Sequence, residues 1–332
     1  MTVFWRYLAY RLKKSGLRTS VLVLLSVVIA HLVIMGESFA MPGAIEGSRT
    51  GLSVFAVILG TTSCLIPILE SAELKSKRNL DTLFAFPLSR RRLGWAHYFS
   101  GLIQLWVIYT VSYLYGFFYL FTQTAWFELS YMLPYYFLSL LLGMALYSFV
   151  LFLFNEGNTV LDGVLFCVIY LLLSVFFLVS LDLPFDLDSH LVPIFESLDR
   201  LTEYFQDLME INVTFYNKEV ILIKLKENMV KYLLWILIGV ASVIGYDRRF
   251  QKRRAEWTGD ISDSAFGYKT TIPVMGYVLL AEWGYVLVLA LIVWITMLTG
   301  YFVYRRSFKL KTSDILVMAL SVVTWLWSMI FG

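Results

Sequence analysis

Glu73–Phe99 reads ELKSKRNLDTLFAFPLSRRRLGWAHYF and carries six of the chain's 27 Lys and Arg residues. It lies between two strongly apolar runs, Gly51–Leu69 and Phe99–Phe121. From Leu80 the apolar residues fall at Leu80, Leu83, Phe84, Pro87 and Leu88, the i, i+3, i+4, i+7, i+8 stripe of a helix with one apolar face. Lys77, Arg78, Asp81 and Arg90–Arg92 supply its charged surroundings. The spacing predicts a short amphipathic helix ended near Pro87, because the residue before a proline is pushed out of the helical region. Ser89 is then placed to cap a new helix that leads through Arg90–Arg92 into the next apolar run. Such an element can lie on an anionic inner leaflet, held by its cations. It can also present a rigid knob to a cytoplasmic partner. Composition by itself favours the leaflet.

The rest of the chain sets the context. Of 332 residues, 59% are hydrophobic and 15% charged, against roughly 25% charged in a soluble domain, and the mean hydropathy is +0.73. This predicts an all-α polytopic integral membrane protein. Apolar runs of about the 20 residues that cross a bilayer occur at Leu17–Phe39, Gly51–Leu69, Phe99–Phe121, Tyr131–Phe154, Asn158–Leu181 and Val230–Tyr246. More apolar sequence follows at Ile272–Tyr304 and Ile315–Phe331. Continuous runs favour helices over a membrane barrel, whose strands alternate. Both cysteines, Cys64 and Cys167, fall inside apolar runs, where a buried thiol is the expectation. The basic N-terminus followed by an apolar run resembles a signal sequence, but the run is too long and lacks a small-x-small cleavage site, so a retained first helix is expected.

Basic residues set the orientation. Four clusters hold 21 of the 27: Arg6–Arg18, Lys75–Arg92, Arg248–Lys269 and Arg305–Lys311. The positive-inside rule places all four in the cytoplasm, with two spans between the first pair and four between the second pair. The N-terminus is then cytoplasmic and the protein a multi-pass component of the cell membrane. An even number of crossings is needed within Ile272–Tyr304, so a re-entrant or very short hairpin broken at Ala281–Tyr285 is expected there, with its longer arm at Gly284–Tyr304. A single long helix is the alternative.

Asp182–Met229 is acidic, with ten Asp and Glu against four Lys and Arg. Ile194, Leu198, Leu201, Phe205 and Leu208 recur at helical spacing, which predicts an external amphipathic helix covering the bundle. It is either a solvated lid or an exit surface for cationic cargo. The sequon Asn212-Val213-Thr214 also lies here.

Glu70–Leu105, ESAELKSKRNLDTLFAFPLSRRRLGWAHYFSGLIQL, resembles the segment between the second and third helices of type-2 ABC exporter permeases. There a Glu ending the second helix precedes a short "x-LxxLxxxPxSRxxx" helix. Glu70 or Glu73, then Leu80, Leu83, Pro87, Ser89 and Arg90, stand at the matching positions. Two weaker likenesses are YDRRFQKRRAEWTGDISDSAFGYKTTIPV at Tyr246–Val274 and GYFVYRRSFKLK at Gly300–Lys311. The resemblance implies a six-helix exporter-like bundle over 1–246, with an interfacial elbow helix at 1–16, a coupling helix at 73–95 and the external cap at 182–229. Residues 247–332 add a cytoplasmic basic segment, a membrane hairpin and a C-terminal helix that the simplest members lack. It further implies that Leu80, Leu83, Phe84, Pro87, Leu88, Ser89, Arg90 and Arg91 dock on a separate ATPase subunit, present in two copies. A second permease chain, identical or homologous, would complete the pathway, and the cargo would be an amphipathic peptide, drug or lipid. Phe4, Trp5, Leu8, Ala9 and Leu12 form an apolar face that fits the elbow helix, and a generic membrane-surface anchor as well.

No G-x-x-x-x-G-K-[ST] loop is present, so ATP and Mg would be bound by the partner and this chain carries no cofactor. His31, His97 and His190 are too scattered for a metal site, no catalytic motif is present, and no nucleic-acid partner is expected. The intramembrane polar residues His31, Glu37, Glu70 and Asp162 remain as candidates for transmission or a substrate path. Glu70 stands where motion of the coupling helix would enter the bundle; a carboxylate paired with Lys75 or Arg78 is the plainer reading. His31 reads as a helix-packing hydrogen-bonder or a proton relay, and Asp162 as a paired carboxylate or the cap of a helix starting near Asn158. Tyr109, Tyr113 and Phe117 could line a path for amphipathic cargo. Two other classes stay open. One is a membrane-embedded lipid-modifying enzyme using Glu70, Asp162 or His31 as acid or base, and the other is a non-transporting immunity or sensor protein.

Overall fold

A computed structural model of the chain describes residues 3–40, 52–123, 129–185, 194–209 and 218–331, apart from 255, 257, 263, 284 and 285. The described residues form helices and no strand. In chain order they are α1 (Val3–Ala40), α2 (Ser53–Ser71), α3 (Lys77–Phe84), α4 (Arg90–Gln123), α5 (Met132–Glu156), α6 (Val160–Phe185), α7 (Ile194–Met209), α8 (Lys218–Lys252), α9 (Tyr268–Trp283), α10 (Leu287–Arg305) and α11 (Thr312–Phe331). Six contain a stretch long and apolar enough to cross a membrane: Val3–Met35, Ser53–Lys75, Arg90–Tyr119, Met132–Glu156, Glu219–Lys252 and Leu287–Arg305. Val160–Ser174 and Thr312–Val323 are shorter apolar helices over their described lengths. The protein is an all-α membrane protein.

The chain folds into two compact units. The first takes Met1–Glu73, Asp81–Phe152 and Ile194–Lys252; the second takes Leu74–Leu80, Leu153–Pro193 and Arg253–Gly332. The sequence reading placed a boundary at Tyr246 and kept the fifth apolar run with the first part, whereas α6 packs in the second unit against α9.

In the first unit α4 is the centre and packs against α1, α2 and α8. Close helix approach is achieved with small residues, as in membranes where no hydrophobic force drives helices together. A Cβ on Gly239 of α8 would stand 2.7 Å from the Cα of Ala145 of α5, so only glycine admits this crossing. Hydroxyls add specificity. Tyr109 and Ser139 are bonded at 2.6 Å, Ser26 and Ser112 at 2.6 Å, and the Tyr147 hydroxyl donates to the Tyr98 carbonyl at 3.1 Å. Tyr109, Tyr113 and Phe117 are all buried and stack along α4 as core. Helix α7 matches its sequence pattern: Ile194, Leu198, Leu201, Phe205 and Leu208 are all buried, and the helix lies on α2 and α8. Asn212–Thr214 lies outside the described residues.

Helix α1 corrects one expectation. A separate elbow at 1–16 is not formed: 38 residues run as one helix, about 57 Å long. No proline interrupts it, and Gly16, where the elbow would end, is not enough to end a helix.

In the second unit α9 is central, touching α6, α10 and α11. A Cβ on Gly276 would strike Met297, and one on Gly300 would touch Ile272, so α9 and α10 run antiparallel as a hairpin. The 33-residue run is therefore two helices with a break between Trp283 and Leu287, and not one long helix. At 16 residues α9 spans about 24 Å, short of a full crossing. Leu280, Ala290, Val293 and Met297 form its apolar centre, with Trp294 and Trp325 packed against them. Arg305 closes the α10–α11 turn with two bonds to Asp314, at 2.8 and 3.1 Å. The Arg305 guanidinium holds the Asp314 carboxyl below its usual range.

Candidate functional site

Glu73–Phe99 forms α3, a turn, and the start of α4. Helix α3 begins with the Leu80 amide bonded to the Ser76 carbonyl at 3.0 Å and ends with the Ala85 amide on Asp81 at 3.1 Å. The chain then turns, with the Leu88 amide on the Phe86 carbonyl at 2.7 Å, around Pro87. Ser89 caps α4: its hydroxyl accepts from the Arg92 amide at 3.4 Å and its carbonyl from the Leu93 amide at 3.0 Å. Proline thus ends one helix and serine starts the next, as the residue types require.

Leu80 is fully buried and is an internal anchor, so it presents no surface to a partner. Leu83, Phe84 and Leu88 are half-buried, while Phe86, Pro87, Ser89, Arg90 and Arg91 are exposed. The Arg90 guanidinium lies over the Phe84 ring at 4.8 Å, and Arg91 reaches Asp247 at 3.3 Å. The outward edge is therefore Leu83, Phe84, Phe86 and Pro87, rimmed by arginine. Phe86, which the stripe did not include, is 45% exposed and contacts the Tyr7 ring at 5.7 Å.

Two polar clusters hold the residues just before α3. In the first unit, Glu70 closes α2 at 1% exposure and accepts four side-chain bonds. Arg11 gives Nη2 at 2.5 Å and Nε at 3.2 Å to one oxygen; Arg18 Nη2 at 2.5 Å and Gln104 Nε2 at 3.2 Å serve the other. Arg11 also reaches the Glu70 carbonyl at 3.3 Å and, through Nη1, Glu73 at 2.7 Å. Lys14 completes Glu73 at 2.8 Å. The carboxylate is thus paired with α1 cations 59 and 52 residues upstream, whereas its neighbours in sequence had suggested Lys75 or Arg78. Beside it, buried His97 shares a 3.2 Å bond with the Tyr7 hydroxyl.

In the second unit, Lys75 is buried and donates to the carbonyls of Phe154, at 2.7 Å, and Gly157, with its ammonium 4.7 Å from the Phe154 ring. Arg253 donates to Asn155 Oδ1 and to the Leu74 carbonyl, both at 2.8 Å. Ser262 donates to the Glu156 carbonyl at 2.5 Å. The end of α5 leaves carbonyls without helical partners, and here a lysine and a serine satisfy them. A cation suits that negative end of the helix dipole.

The other candidates stand apart. His31 Nδ1 pairs with the Tyr115 hydroxyl at 2.9 Å and its ring packs on Tyr119. It packs α1 on α4. Asp162 accepts from the Tyr268 hydroxyl at 2.5 Å, while its own amide is capped by Thr159. Asp162 is therefore paired, and Thr159 caps α6. Burial, then the bond to Asp162, pushes the Tyr268 hydroxyl above its ordinary value. The side chain of Glu37 lies outside the described residues. Glu70 and His31 have separate partners within the first unit, and Asp162 has its own in the second. Among the described residues no three His, Cys, Asp or Glu side chains gather as metal ligands.

Sequence reasoning missed Arg11, Arg18, Gln104, Lys75 and Arg253 as network members. One signal was available: Arg11 and Arg18 are seven residues apart, two turns along one face of α1. Two cations on an inward face require a carboxylate. Comparison with protein-family models, curated proteins and solved structures finds no match.

Proposed function

We propose that the chain is the membrane-spanning permease subunit of an ABC exporter. The observation that carries this is α3: an eight-residue helix ended before Pro87, followed by a Ser89-capped α4, and strung between two membrane-crossing helices with an arginine-rimmed apolar edge outward. In this reading the edge of Leu83, Phe84, Phe86 and Pro87 seats on a separate ATPase subunit on the cytoplasmic side, and the N-terminus shares that side of the cell membrane. ATP and Mg are bound by that subunit. Movement of α3 is delivered to the adjoining ends of α2 and α4. The Glu70 cluster supports this, because it ties the end of α2 to α1 and gives a rigid base against which a push is transmitted. Two such chains, each with its ATPase, pass an amphipathic cargo between them.

The test is ATP hydrolysis and co-purification with a candidate ATPase subunit in lipid. Leu83→Glu/Phe84→Glu and the exposed Phe86→Glu should detach the subunit and abolish stimulated hydrolysis while the chain stays folded. If no ATPase associates with the unaltered chain, α3 is a leaflet-bound helix, and Glu70, Asp162 and His31 become the residues to test for enzymatic chemistry.

A further inference from the structure

Helix α1 has an outer face that none of the described residues covers. Along it lie Arg6, Tyr10, Lys13, Leu17, Ser20, Leu24 and Val28, all exposed, at the three- and four-residue steps that keep side chains on one side of a helix. At its apolar end α1 and α4 enclose a groove of about 430 Å³, lined by Thr19, Ser20, Val23, Leu24, Val27, Val28, Val107 and Val111. The lining is aliphatic except for two hydroxyls, both at the end nearest the basic residues. Four residues before Ser20, a Cβ on Gly16 would meet nothing within 4 Å, so the face is notched there. Lys13 stands about 10 Å along the axis from Ser20. Arg6 and Lys13 have no ion-pair partner among the described residues, unlike Arg11, Lys14 and Arg18, which turn toward Glu70 and Glu73.

We infer that this face binds one anionic phospholipid, its acyl chain in the α1–α4 groove, its glycerol at the Gly16 notch and its phosphate at Lys13, with Arg6 beyond. The order of chemistry along α1 is that of the lipid: cation, small polar residues, then aliphatic groove. The apolar groove lies within a membrane-crossing helix, where acyl chains are the surrounding medium. The unpaired cations select the headgroup. A juxtamembrane lysine or arginine near an anionic surface contributes roughly a fivefold preference each. The site stands whether or not the chain is a transporter.

Native mass spectrometry of the full chain in mild detergent, titrated with phosphatidylglycerol or phosphatidylcholine, tests this. One phosphatidylglycerol should be retained in preference to phosphatidylcholine. Arg6→Gln/Lys13→Gln should remove most of that preference while leaving phosphatidylcholine binding intact; Lys309→Gln, an exposed cation elsewhere, should leave the preference unchanged. Leu24→Trp, at an exposed position on the groove wall, should reduce retention of both lipids. Equal retention of the two lipids by the unaltered chain overturns the inference, as does a preference that survives the double variant or falls equally in Lys309→Gln. So does a dimer that Leu24→Trp converts to monomer, since a second copy would then be the occupant.

Discussion

The two polar clusters beside α3 solve opposite problems. Around Glu70 a buried anion is surrounded by cations from α1, and every strong contact is an ion pair or a charge-assisted hydrogen bond. Around Lys75 and Arg253 buried cations are held largely by backbone carbonyls, together with the Asn155 amide oxygen. The first fixes one helix to another through side chains that a mutation can remove. The second fixes the end of a helix through backbone groups that every residue carries, so a mutation removes it at the cations rather than at the acceptors, although a Cβ on Gly157 would strike the backbone of Gly163. The comparison shows two ways of fixing the chain that leads into α3: side-chain ion pairs up to Glu73 in the first unit, and backbone acceptors from Leu74 on in the second.

The sharpest way to break this comparison is at the buried anion. Glu70→Leu strands Arg18 and leaves Arg11 with Glu73 alone, and removing one partner of a buried pair destabilises by roughly 3–5 kcal/mol. Thermal denaturation in detergent should show a large fall for Glu70→Leu and a small one, under about 1 kcal/mol, for Glu73→Gln, whose carboxylate is 35% exposed. Equal effects would mean that the two carboxylates are not distinguished by burial. Lys75→Met comes next, at roughly 1–3 kcal/mol for the carbonyls it leaves unsatisfied. Hydrogen exchange should localise that loss to the end of α5; protection unchanged there would remove Lys75 from its capping role. Smallest is the Arg305–Asp314 pair, an ion pair at a helix turn. Asp314 is held below its usual range, so its contribution is present above the ordinary carboxylate pKa, about 3.9, and is lost as pH falls through the lower folded value. Exchange at the α10–α11 turn should therefore be flat from neutral pH down to about 4, after allowing for the intrinsic rate, and rise below. Asp314→Asn should abolish that rise.

Local signals in the sequence carried far. The Phe86-Pro87 stop, the Ser89 cap and the buried stripe of α7 depend on residues within one or two turns, and each was readable. The break in Ile272–Tyr304 was readable too, since the basic clusters on either side call for an even number of crossings and 33 residues are too few for two full spans. What was not readable depended on packing across the chain. Glu70 has Lys75 and Arg78 within easy reach in sequence, but α2 ends against α1, so the partners come from residues 11 and 18. Leu80 belongs to the stripe by spacing, and only the folded chain shows that its side chain faces inward. Lys75 looked like one more member of a positive-inside cluster, and nothing local marks a lysine that will serve carbonyls 79 and 82 residues ahead.

The second unit is assembled from three separated stretches of chain. Leu74 meets Arg253 across 179 residues, and Asp162 meets Tyr268 across 106. At roughly 5–20 residues per second on the ribosome, the carbonyl of Leu74 waits on the order of ten seconds for its arginine. During biogenesis α6 is therefore made long before α9, the helix it packs against, exists. A nascent chain arrested after Lys252 would leave Asp162 without Tyr268 and the Leu74 carbonyl without Arg253, open to whatever quality-control machinery surveys half-built membrane proteins.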